Sequence, residues 1–405
     1  MIKPSDDSSK VPWDDLWTRT LEEQIDKGEI GLHGDLGNPR GDWVLFRPGR
    51  LLVDERASRV RAVQSALKSG GARPARSRGD ERDREVAARL GLRLYDSRAD
   101  GAELVDTVRA INRSVARSAS LDHVLIGGPA RWGGDSTPVP IKDPGTVPGS
   151  DAAAGKGIEV AVLDTGIAAE VGFAVASGAG DVEVPDADGD GSRDAPAGHG
   201  THVAGLVASV AAGARITARR ILEGVAGIAG DLAVAGALLE HAGADVINCS
   251  FSGPVLDDGP PLVVERALAA LPPSTVVVAC AGNLGTDRPQ WPAAFKGVIA
   301  VGAIHRPRRS RRWQQPDFTN FGGWVDCCAP GVDVPSAFLS GIDGFGGFAS
   351  WSGTSMSCPQ VAGAIAAIAA RDGNGVSAAA YKLVHDPSRP RLDGLGAIVD
   401  PADLP

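Results

Sequence analysis

The stretch IEVAVLDTG, residues 158–166, decides the fold class of this chain. It is a short, almost continuously apolar run that ends at Asp164 and is followed by a threonine and a glycine. A run of this length without polar alternation is typical of a strand buried on both faces, and Thr-Gly after the acid predicts a tight turn. The stretch therefore predicts a strand of a parallel sheet that helices cover on both sides.

Three further runs share this pattern, and helical segments stand between them. The runs are ADVINCSF (244–251), STVVVACAGN (274–283) and GVIAVGAI (297–304), and the helical segments are THVAGLVASVAA (201–212), DLAVAGALLEHAG (231–243) and PLVVERALAAL (261–271). Strands that alternate with crossover helices pair in parallel. We predict an α/β fold with a doubly wound, mostly parallel sheet and helices on both faces.

The residues before this region predict a small α+β domain. DWVLFRPGRLLVD (42–54) predicts a hairpin, LDHVLIGG (121–128) predicts a final strand, and the charge-rich connection 72–85 is expected to be a solvated loop. A Pro/Gly-rich linker follows. The predicted organisation is an N-terminal extension (1–41), a small α+β domain (42–128), a linker (129–154) and a large α/β domain (155–405).

Composition and charge exclude several classes of protein. The formal net charge of −9, from 41 basic and 50 acidic residues, argues against general binding to nucleic acid or to an anionic membrane. Apolar runs fall short of the roughly 18–20 residues of a membrane helix. The first residues, MIKPSDDSSKVPWDDLW, carry acids and prolines where a secretory signal has a basic start and an apolar run. We expect a soluble, cytoplasmic protein.

The five cysteines are scattered and lack CxxC spacing. An odd number without such spacing indicates neither a disulfide framework nor a zinc site. We interpret them as reduced thiols. They are Cys249, Cys280, Cys327, Cys328 and Cys358.

Three reactive side chains stand where a sheet of this class forms its sites, at the carboxyl ends of strands and the helix starts beside them. Asp164 ends the first run, His199 lies in GHGTHVAG, and Ser355 lies in GTSMSCPQVAGA just before an apolar helical segment. A carboxylate can orient an imidazole, which takes the proton of a hydroxyl that attacks a carbonyl. Asn283, after the run VVVAC, is a candidate donor to the oxyanion, with the Ser355 N–H as the second donor.

Each signal alone has a simpler interpretation: a turn-forming acid, a structural histidine, a helix N-cap. Together they resemble the subtilisin-like serine proteases, or subtilases, over about residues 155–370. The similar segments are VLDTGI (162–167) for the catalytic aspartate, HGTHVAG (199–205) for the histidine, AGN (281–283) for the oxyanion asparagine and GTSMSCPQVAG (353–363) for the nucleophile. The order Asp, His, Ser along the chain is the one known for subtilisin.

This resemblance implies a serine endopeptidase. In it Asp164 orients the imidazole, His199 is general base and then acid, Ser355 is the nucleophile, and Asn283 stabilises the oxyanion. The alternative is a catalytically silent peptide-binding module of the same fold. Cys358, one helical turn after the nucleophile, could make the site sensitive to thiol reagents, but we interpret it as an inert buried residue.

The segment VINCSFSG (246–253) resembles the family's strand that pairs with extended substrate. Where the family commonly has Leu-Gly-Gly after the serine, this chain has Phe-Ser-Gly, so Ser252 could narrow a subsite. The resemblance implies that substrate contacts Ser250, Phe251, Ser252, Gly253, Cys280, Ala281 and Gly282.

Subtilases often carry an α+β prodomain that assists folding and blocks the cleft, and residues 42–128 resemble that architecture. The resemblance implies a zymogen whose N-terminal domain packs on the catalytic domain and is cut off between about residues 128 and 155, as in a processing or maturation protease. A permanent domain that recognises a peptide or protein substrate is the alternative.

Two charged segments have open interpretations. DVEVPDADGDGSRDAPAG (181–198) places Asp186, Asp188 and Asp190 in the spacing of a calcium loop, but Ala197 stands at the twelfth position, where a carboxylate is expected. The loop either binds calcium or is a solvated acidic loop; the chemistry itself requires no cofactor. HRPRRSRRWQQ, with five arginines over 306–312, is either a solvated surface loop or a contact for an acidic partner.

Overall fold

The computed structural model of the chain describes residues 15–36, 38, 41–127, 137–142, 151–307, 310 and 312–404. Most of the predicted linker 129–154 and part of the predicted extension 1–41 lie outside these residues. The predicted domain limits therefore stay predictions.

The N-terminal part of the chain, up to residue 127, builds an antiparallel sheet with helices against it. Within the described residues its elements are α1 (Asp15–Asp26), β1 (Gly31–His33), β2 (Val44–Asp54), α2 (Arg61–Ser69), β3 (Arg73–Pro74), α3 (Glu81–Arg89), β4 (Leu92–Asp96), α4 (Gly101–Ser114) and β5 (Ala119–Gly127). β2 is central: β5 pairs with it on one side, β1 and β4 also pair with it, and β3 extends the sheet beyond β4. α2 and α4 bury their apolar faces against one side of this sheet.

Two sequence-based predictions in this part are wrong. Residues 42–54 do not form a hairpin, because β2 is a single strand of 11 residues. Pro48 and Gly49 produce an irregularity instead of a turn: the register with β5 shifts between Phe46 and Leu51. The charge-rich connection 72–85 contains β3 and the start of α3, whose charged residues lie outward while Val86 and Ala87 are buried.

The elements that follow alternate strands and helices. They are β6 (Val139–Pro140), β7 (Glu159–Asp164), β8 (Ala176–Ser177), α5 (His199–Val210), β9 (Arg215–Arg220), β10 (Ile228–Gly230), α6 (Asp231–Glu240), β11 (Val246–Cys249), β12 (Phe251–Ser252), α7 (Leu262–Ala269), β13 (Val276–Cys280), β14 (Val298–Ile304), β15 (Cys327–Pro330), β16 (Val334–Ser340), β17 (Gly346–Trp351), α8 (Thr354–Asp372), α9 (Val376–His385), β18 (Arg391–Leu392) and β19 (Gly396–Ile398).

The large sheet has the strand order β18-β19-β15-β14-β13-β11-β7-β9-β8 within the described residues. Every neighbouring pair is parallel except β18 with β19. The four runs that predicted buried strands form β7, β11, β13 and β14, and nearly all of their residues are buried. The prediction of a doubly wound, mostly parallel sheet is confirmed.

Helices cover both faces of this sheet, because successive side chains of a strand point to opposite faces. From β7, Val160 and Val162 pack in the core that contains α5, α8 and α9. Ala161 and Leu163 pack in the core that contains α6 and α7. The second core also includes Leu125 of β5 and other residues of the N-terminal part.

The first turn of α5 lies very close to the turn that follows β7, at the edge of the sheet where that strand ends. A Cβ on Gly200, in the first turn of α5, would lie 2.1 Å from the Gly166 carbonyl oxygen. Only glycine therefore lets α5 begin directly beside the turn after β7. Among the described helices, none combines the length and apolarity needed to cross a bilayer.

Candidate active site

Asp164 and His199 form a buried, hydrogen-bonded pair at this edge. His199 Nδ1 lies 2.6 Å from Asp164 Oδ1, and the same oxygen accepts the Thr165 N–H at 2.8 Å. A carboxylate oxygen accepts, so His199 Nδ1 donates this hydrogen bond and Nε2 is the other ring nitrogen, left for a further partner. The pair holds an imidazole with its basic nitrogen on the side away from Asp164.

Ser355 is the second residue of α8 and is almost fully buried. Its Oγ donates to the Ser250 carbonyl oxygen at 3.2 Å and lies 3.9 Å from Cys280 Sγ. His199 Nε2 has no hydrogen-bond partner among the described residues. This state therefore lacks a hydrogen bond between Ser355 and His199.

The sheet register nevertheless brings Ser355 to the same edge as the pair. β11 lies beside β7 with Cys249 opposite Leu163, so Ser250 follows β11 where Asp164 ends β7. Because Ser355 Oγ binds the carbonyl of Ser250 at 3.2 Å, it lies next to the strand that neighbours β7 at the end where Asp164 stands.

Asn283 lies just beyond β13 at the same edge. Its Oδ1 accepts both the Thr354 N–H, at 2.8 Å, and the Thr354 Oγ1 hydroxyl, at 2.9 Å. These bonds orient the amide with its donor end, Nδ2, away from Thr354. Thr354 also accepts the Gly282 N–H, at 3.1 Å. Sequence reasoning missed Thr354, whose only signal was its position directly before Ser355.

Among the residues predicted to contact substrate, some can offer only their backbone and others can also offer a side chain. The Phe251 side chain is fully buried in the core on the α6–α7 face, so only its backbone is available to a peptide. Ala281 is also fully buried, and its carbonyl accepts Asn320 Nδ2 at 2.8 Å. The Ser252 side chain, in contrast, projects toward Gly282: its Oγ would lie 2.9 Å from a Cβ built on that glycine. Close to Ser355 and Asn283, the structure also places Ser250, Gly253 and Cys280.

β5 lies between two strands of residues 155–404, which we call the peptidase part; the groove between these strands, beside Ser355, is called the cleft. It pairs antiparallel with β10 on one side and β12 on the other, and Ile126 is opposite both Ile228 and Ser252. The Gly127 N–H donates to the Gly227 carbonyl at 3.0 Å. Sequence reasoning missed β10, because three residues are too few for a period-2 pattern.

A second buried carboxyl group lies behind Asp164. Thr165 Oγ1 donates to Glu183 Oε2 at 3.1 Å. Burial raises the pKa of Glu183 to about 8, the Thr165 hydrogen bond opposes this, and the Asp164 carboxylate adds to it. Glu183 is therefore neutral at pH 7, which avoids a second buried negative charge beside the pair.

Aromatic packing fixes the imidazole from the other side. The Trp351 ring lies edge-on to His199, with centroids 5.3 Å apart, and edge-on to His202, at 5.8 Å. Burial and the neighbouring His199 lower the pKa of His202 to about 3, so His202 is a neutral packing residue.

All five cysteines are buried and have free thiols. Cys358 Sγ donates to Asn248 Oδ1 at 3.2 Å, and burial raises the pKa of its thiol well above the usual range. A thiol that stays protonated is a poor nucleophile, which agrees with the interpretation of inert burial.

The acidic loop brings together oxygens of the type that calcium prefers. Carboxylate oxygens of Asp186, Asp188 and Asp190 lie within 4.8 Å of one another. Loop N–H groups already bind them, as at Asp186 Oδ1, which accepts Gly189 N–H at 2.7 Å. The donor type fits calcium, but Ala197 provides no carboxylate to complete the set. Calcium binding stays a prediction.

Of the Arg-rich segment, residues 308, 309 and 311 lie outside the described residues. Arg306 stacks over the Trp313 ring at 4.0 Å and lies 3.5 Å from an Asp400 carboxylate oxygen. At least Arg306 therefore contacts other residues of this chain.

Comparison with known proteins gives consistent matches. A family model described as the Subtilase family matches residues 155–384. The chain is 35% identical over 243 residues to a thermophilic serine proteinase of Bacillus sp. (strain AK1), covering 54% of each protein. It is 33% identical over 229 residues to subtilisin BL of Lederbergia lenta, covering 53% of this chain and 77% of that protein.

Two solved structures share the fold. Fervidolysin from Fervidobacterium pennivorans, a keratinolytic enzyme related to subtilisin, superposes with a TM-score of 0.57 over 89% of this chain and 62% of fervidolysin, at 19% identity. A protease from Pseudoalteromonas arctica PAMC 21717 superposes with a TM-score of 0.52 over 62% of this chain and 90% of that protein, at 25% identity. At 19% identity, the first likeness is evidence for the fold alone.

Proposed function

Because this chain belongs to the subtilase family, we propose that it is an endopeptidase that cuts proteins or peptides through an acyl-enzyme intermediate, using the Asp164, His199 and Ser355 side chains. The predicted family and the predicted class, a subtilisin-like serine peptidase, are confirmed by the matches. The chain spans about half the length of some relatives and three quarters of others, so its substrates and partners belong to the proposal.

The observation that carries the proposal is the 2.6 Å contact between His199 and Asp164 at the sheet edge where α8 begins with Thr354 and Ser355. In the first step Ser355 Oγ attacks the carbonyl carbon of the peptide bond and His199 Nε2 takes its proton, while Asp164 stabilises the imidazolium. The C–N bond breaks as His199 passes that proton to the leaving amine. Water then attacks the ester, again with His199 as base, which releases a carboxylate and restores the Ser355 hydroxyl.

Asn283 is the proposed donor to the oxyanion. Its acceptor end is held by Thr354, so its donor end is oriented before substrate arrives. The Ser355 N–H, in the first turn of α8, is the second donor. Side chains and backbone of this chain thus supply every role in the reaction, and hydrolysis needs no cofactor.

We extend the proposal to regulation: the N-terminal part inhibits the enzyme until it is cut off. The support is the position of β5, which pairs with β10 and β12 where an extended substrate would lie. Arg266 of α7 also donates to the Leu90 and Gly91 carbonyls and to Asp54 at 2.8, 3.0 and 2.6 Å. A permanent recognition domain would leave the cleft accessible to its substrate. The inhibitory role is therefore the better supported of the two.

The silent-module alternative has no observation in its favour. The comparisons name a serine proteinase and a subtilisin, and the four residues predicted to act are all present. A cytoplasmic location and a maturation role stay predictions from the sequence.

Ser355→Ala tests the proposal. Wild type should hydrolyse peptides and react covalently with a fluorophosphonate probe, and the variant should lose both, with hydrolysis falling at least about 10³-fold. Mass spectrometry should show that wild type is cut between about residues 128 and 155 and that the variant stays intact.

Ser357→Ala is the matched control. Ser357 also lies in the first turns of α8, but its Oγ donates to the Ala329 carbonyl at 2.9 Å, away from the cleft. This variant should keep probe labelling even where its stability falls. Labelling that persists in Ser355→Ala would remove Ser355 from the proposed role.

A further inference from the structure

We propose that the cleft selects substrates with two small residues, of the Gly-Gly type, immediately before the scissile bond. The inference rests on the proposed peptidase function and specifies its substrate class. It comes from the register of β5, the size of the pocket beside Ser355 and the position of Leu222.

The register of β5 assigns the substrate positions. Ile126 is opposite Ser252 and Gly127 is opposite Phe251, so the next residue of an extended strand is opposite Ser250. Ser355 Oγ binds the Ser250 carbonyl at 3.2 Å. In a peptide bound as β5 is, the residue opposite Ser250 therefore carries the carbonyl that Ser355 attacks. We call it the first position; the place of Gly127 is then the second position.

The pocket beside Ser355 is small. With the N-terminal part in place its volume is about 30 Å³; Trp43 and Ile126 of that part line it together with Ser252, Cys280, Asn283 and Gln290. Such a volume holds about one or two water molecules. With Trp43 and Ile126 in place, this space admits the hydrogen of glycine or the methyl of alanine, whereas a leucine or phenylalanine side chain is too large.

Two side chains narrow this pocket from the side that remains after the N-terminal part is cut off. Ser252 Oγ points toward Gly282, as its 2.9 Å distance from a Cβ at that glycine shows. Cys280 Sγ lies 3.9 Å from Ser355 Oγ on the neighbouring wall. A glycine in place of Ser252 would remove one wall without changing the backbone pairing.

A side chain at the second position would clash with Leu222. A Cβ on Gly127 would lie 2.1 Å from Leu222 Cδ1, far inside the 3.5–4.0 Å at which two carbon atoms make favourable contact. Leu222 is 2% exposed, and its N–H donates to the Asp164 carbonyl at 3.1 Å. A residue larger than glycine can enter only if the Leu222 side chain turns away.

Space for that movement exists on one side. Leu222 also lines a separate cavity of about 280 Å³, together with Glu183, Arg220 and Glu223. Rotation toward this cavity would admit a larger second residue, so we expect weaker selection there than at the first position.

The chain itself has glycine at the residues that correspond to the first and second positions. Gly127 is followed by Gly128, which lies outside the described residues. In the sequence, a second glycine thus directly follows the last described residue of β5.

The experiment measures kcat/KM for quenched fluorescent peptides built on Val-Leu-Ile-Gly-Gly-Ala-Ala, using the full chain after self-processing. Glycine or alanine at the first position should be cut at least about 10-fold faster than leucine, and about 100-fold faster than phenylalanine. At the second position glycine should exceed valine about 10-fold. Ser252→Gly should reduce the first preference about tenfold, and Leu222→Ala the second, while Leu222→Met, which conserves volume, should retain it.

Fluorophosphonate labelling of each variant separates the possible failures. Normal labelling with equal or faster cutting of phenylalanine peptides would overturn this inference and leave the peptidase function standing. If neither labelling nor hydrolysis of any peptide occurs, both the peptidase function and the inference are overturned. If Ser252→Gly and Leu222→Ala leave the preferences of labelled enzyme unchanged, those residues do not set specificity and the inference fails.

Discussion

The cleft has two halves that are built in different ways. One half holds the proposed catalytic residues, and we call it the catalytic half; it consists of side chains held by short polar contacts, such as the 2.6 Å bond between His199 and Asp164 and the bonds from Thr354 to Asn283. The recognition half consists of backbone: β5 between β10 and β12, with glycine at the tightest contact. A substitution in the first half should therefore change the rate of the chemistry, and one in the second half should change which peptide enters and when.

After Ser355→Ala, the largest effect is expected in the catalytic half, for Asn283→Ala. Losing one donor to the oxyanion should lower kcat about 10²–10³-fold with little change in KM, because the donor acts mainly in the transition state. Steady-state kinetics of the processed enzyme would measure it. Asn283 also holds Thr354, so the thermal midpoint serves as the control for folding. If kcat stayed unchanged in a folded variant, the oxyanion would have other donors.

The next effect is expected in the recognition half, for Ile126→Pro. Proline removes a backbone donor and strains a central strand, so β5 should pair more weakly with β10 and β12. The unprocessed chain should then hydrolyse a small peptide at least about 10-fold faster at early times. Ile126→Val keeps the pairing and is the control. Equal initial rates for both variants would mean that β5 does not block the cleft.

A pH series can distinguish a buried carboxyl group in each half. Glu183, behind the catalytic pair, has its pKa raised from 4.5 to about 8, so its stabilising contribution is complete below about pH 4.5 and is lost as the pH rises through 8. Because of Glu183, wild type should lose about 4 kcal/mol of unfolding free energy between pH 5 and 8.5. Glu183→Gln should lack most of that loss, as read from thermal midpoints.

Asp122, on β5 in the recognition half, provides the matched control. Burial raises its pKa to about 6, against the lowering by Arg50, so its contribution is lost between about pH 4 and 6. Asp122→Asn should flatten only this lower window. If Glu183→Gln retained the loss above pH 6, another group would be responsible for it.

The smallest effect is expected at the exposed rim of the N-terminal part. Arg117 and Glu265 lie 2.6 Å apart, but their side chains are 60% and 38% exposed. Such a pair contributes under about 1 kcal/mol and is screened by salt. Arg117→Ala should raise the early activity of the unprocessed chain less than about 3-fold, and less still at 0.5 M salt. A rise as large as that of Ile126→Pro would show that ion pairs rather than the strand hold the N-terminal part in place.

Much of the fold was predictable because the signals are local. The apolar runs of β7, β11, β13 and β14 have the length and composition of buried strands, and the structure forms a strand from each. The same method failed at Pro48-Gly49, where a turn signal accompanies an irregularity inside β2. It also failed at α3, whose charges concealed a short helix with only one buried face.

By itself, the sequence determined the fold class, the family and the identity of the candidate reactive residues, since each depends on patterns of neighbouring residues. Only the tertiary structure decided that β5 lies between β10 and β12, that Ser355 Oγ binds Ser250, and that Leu222 meets Gly127. The physical reason is that these contacts join residues far apart along the chain. Their geometry follows from how the whole chain packs, and a local pattern carries no information about it.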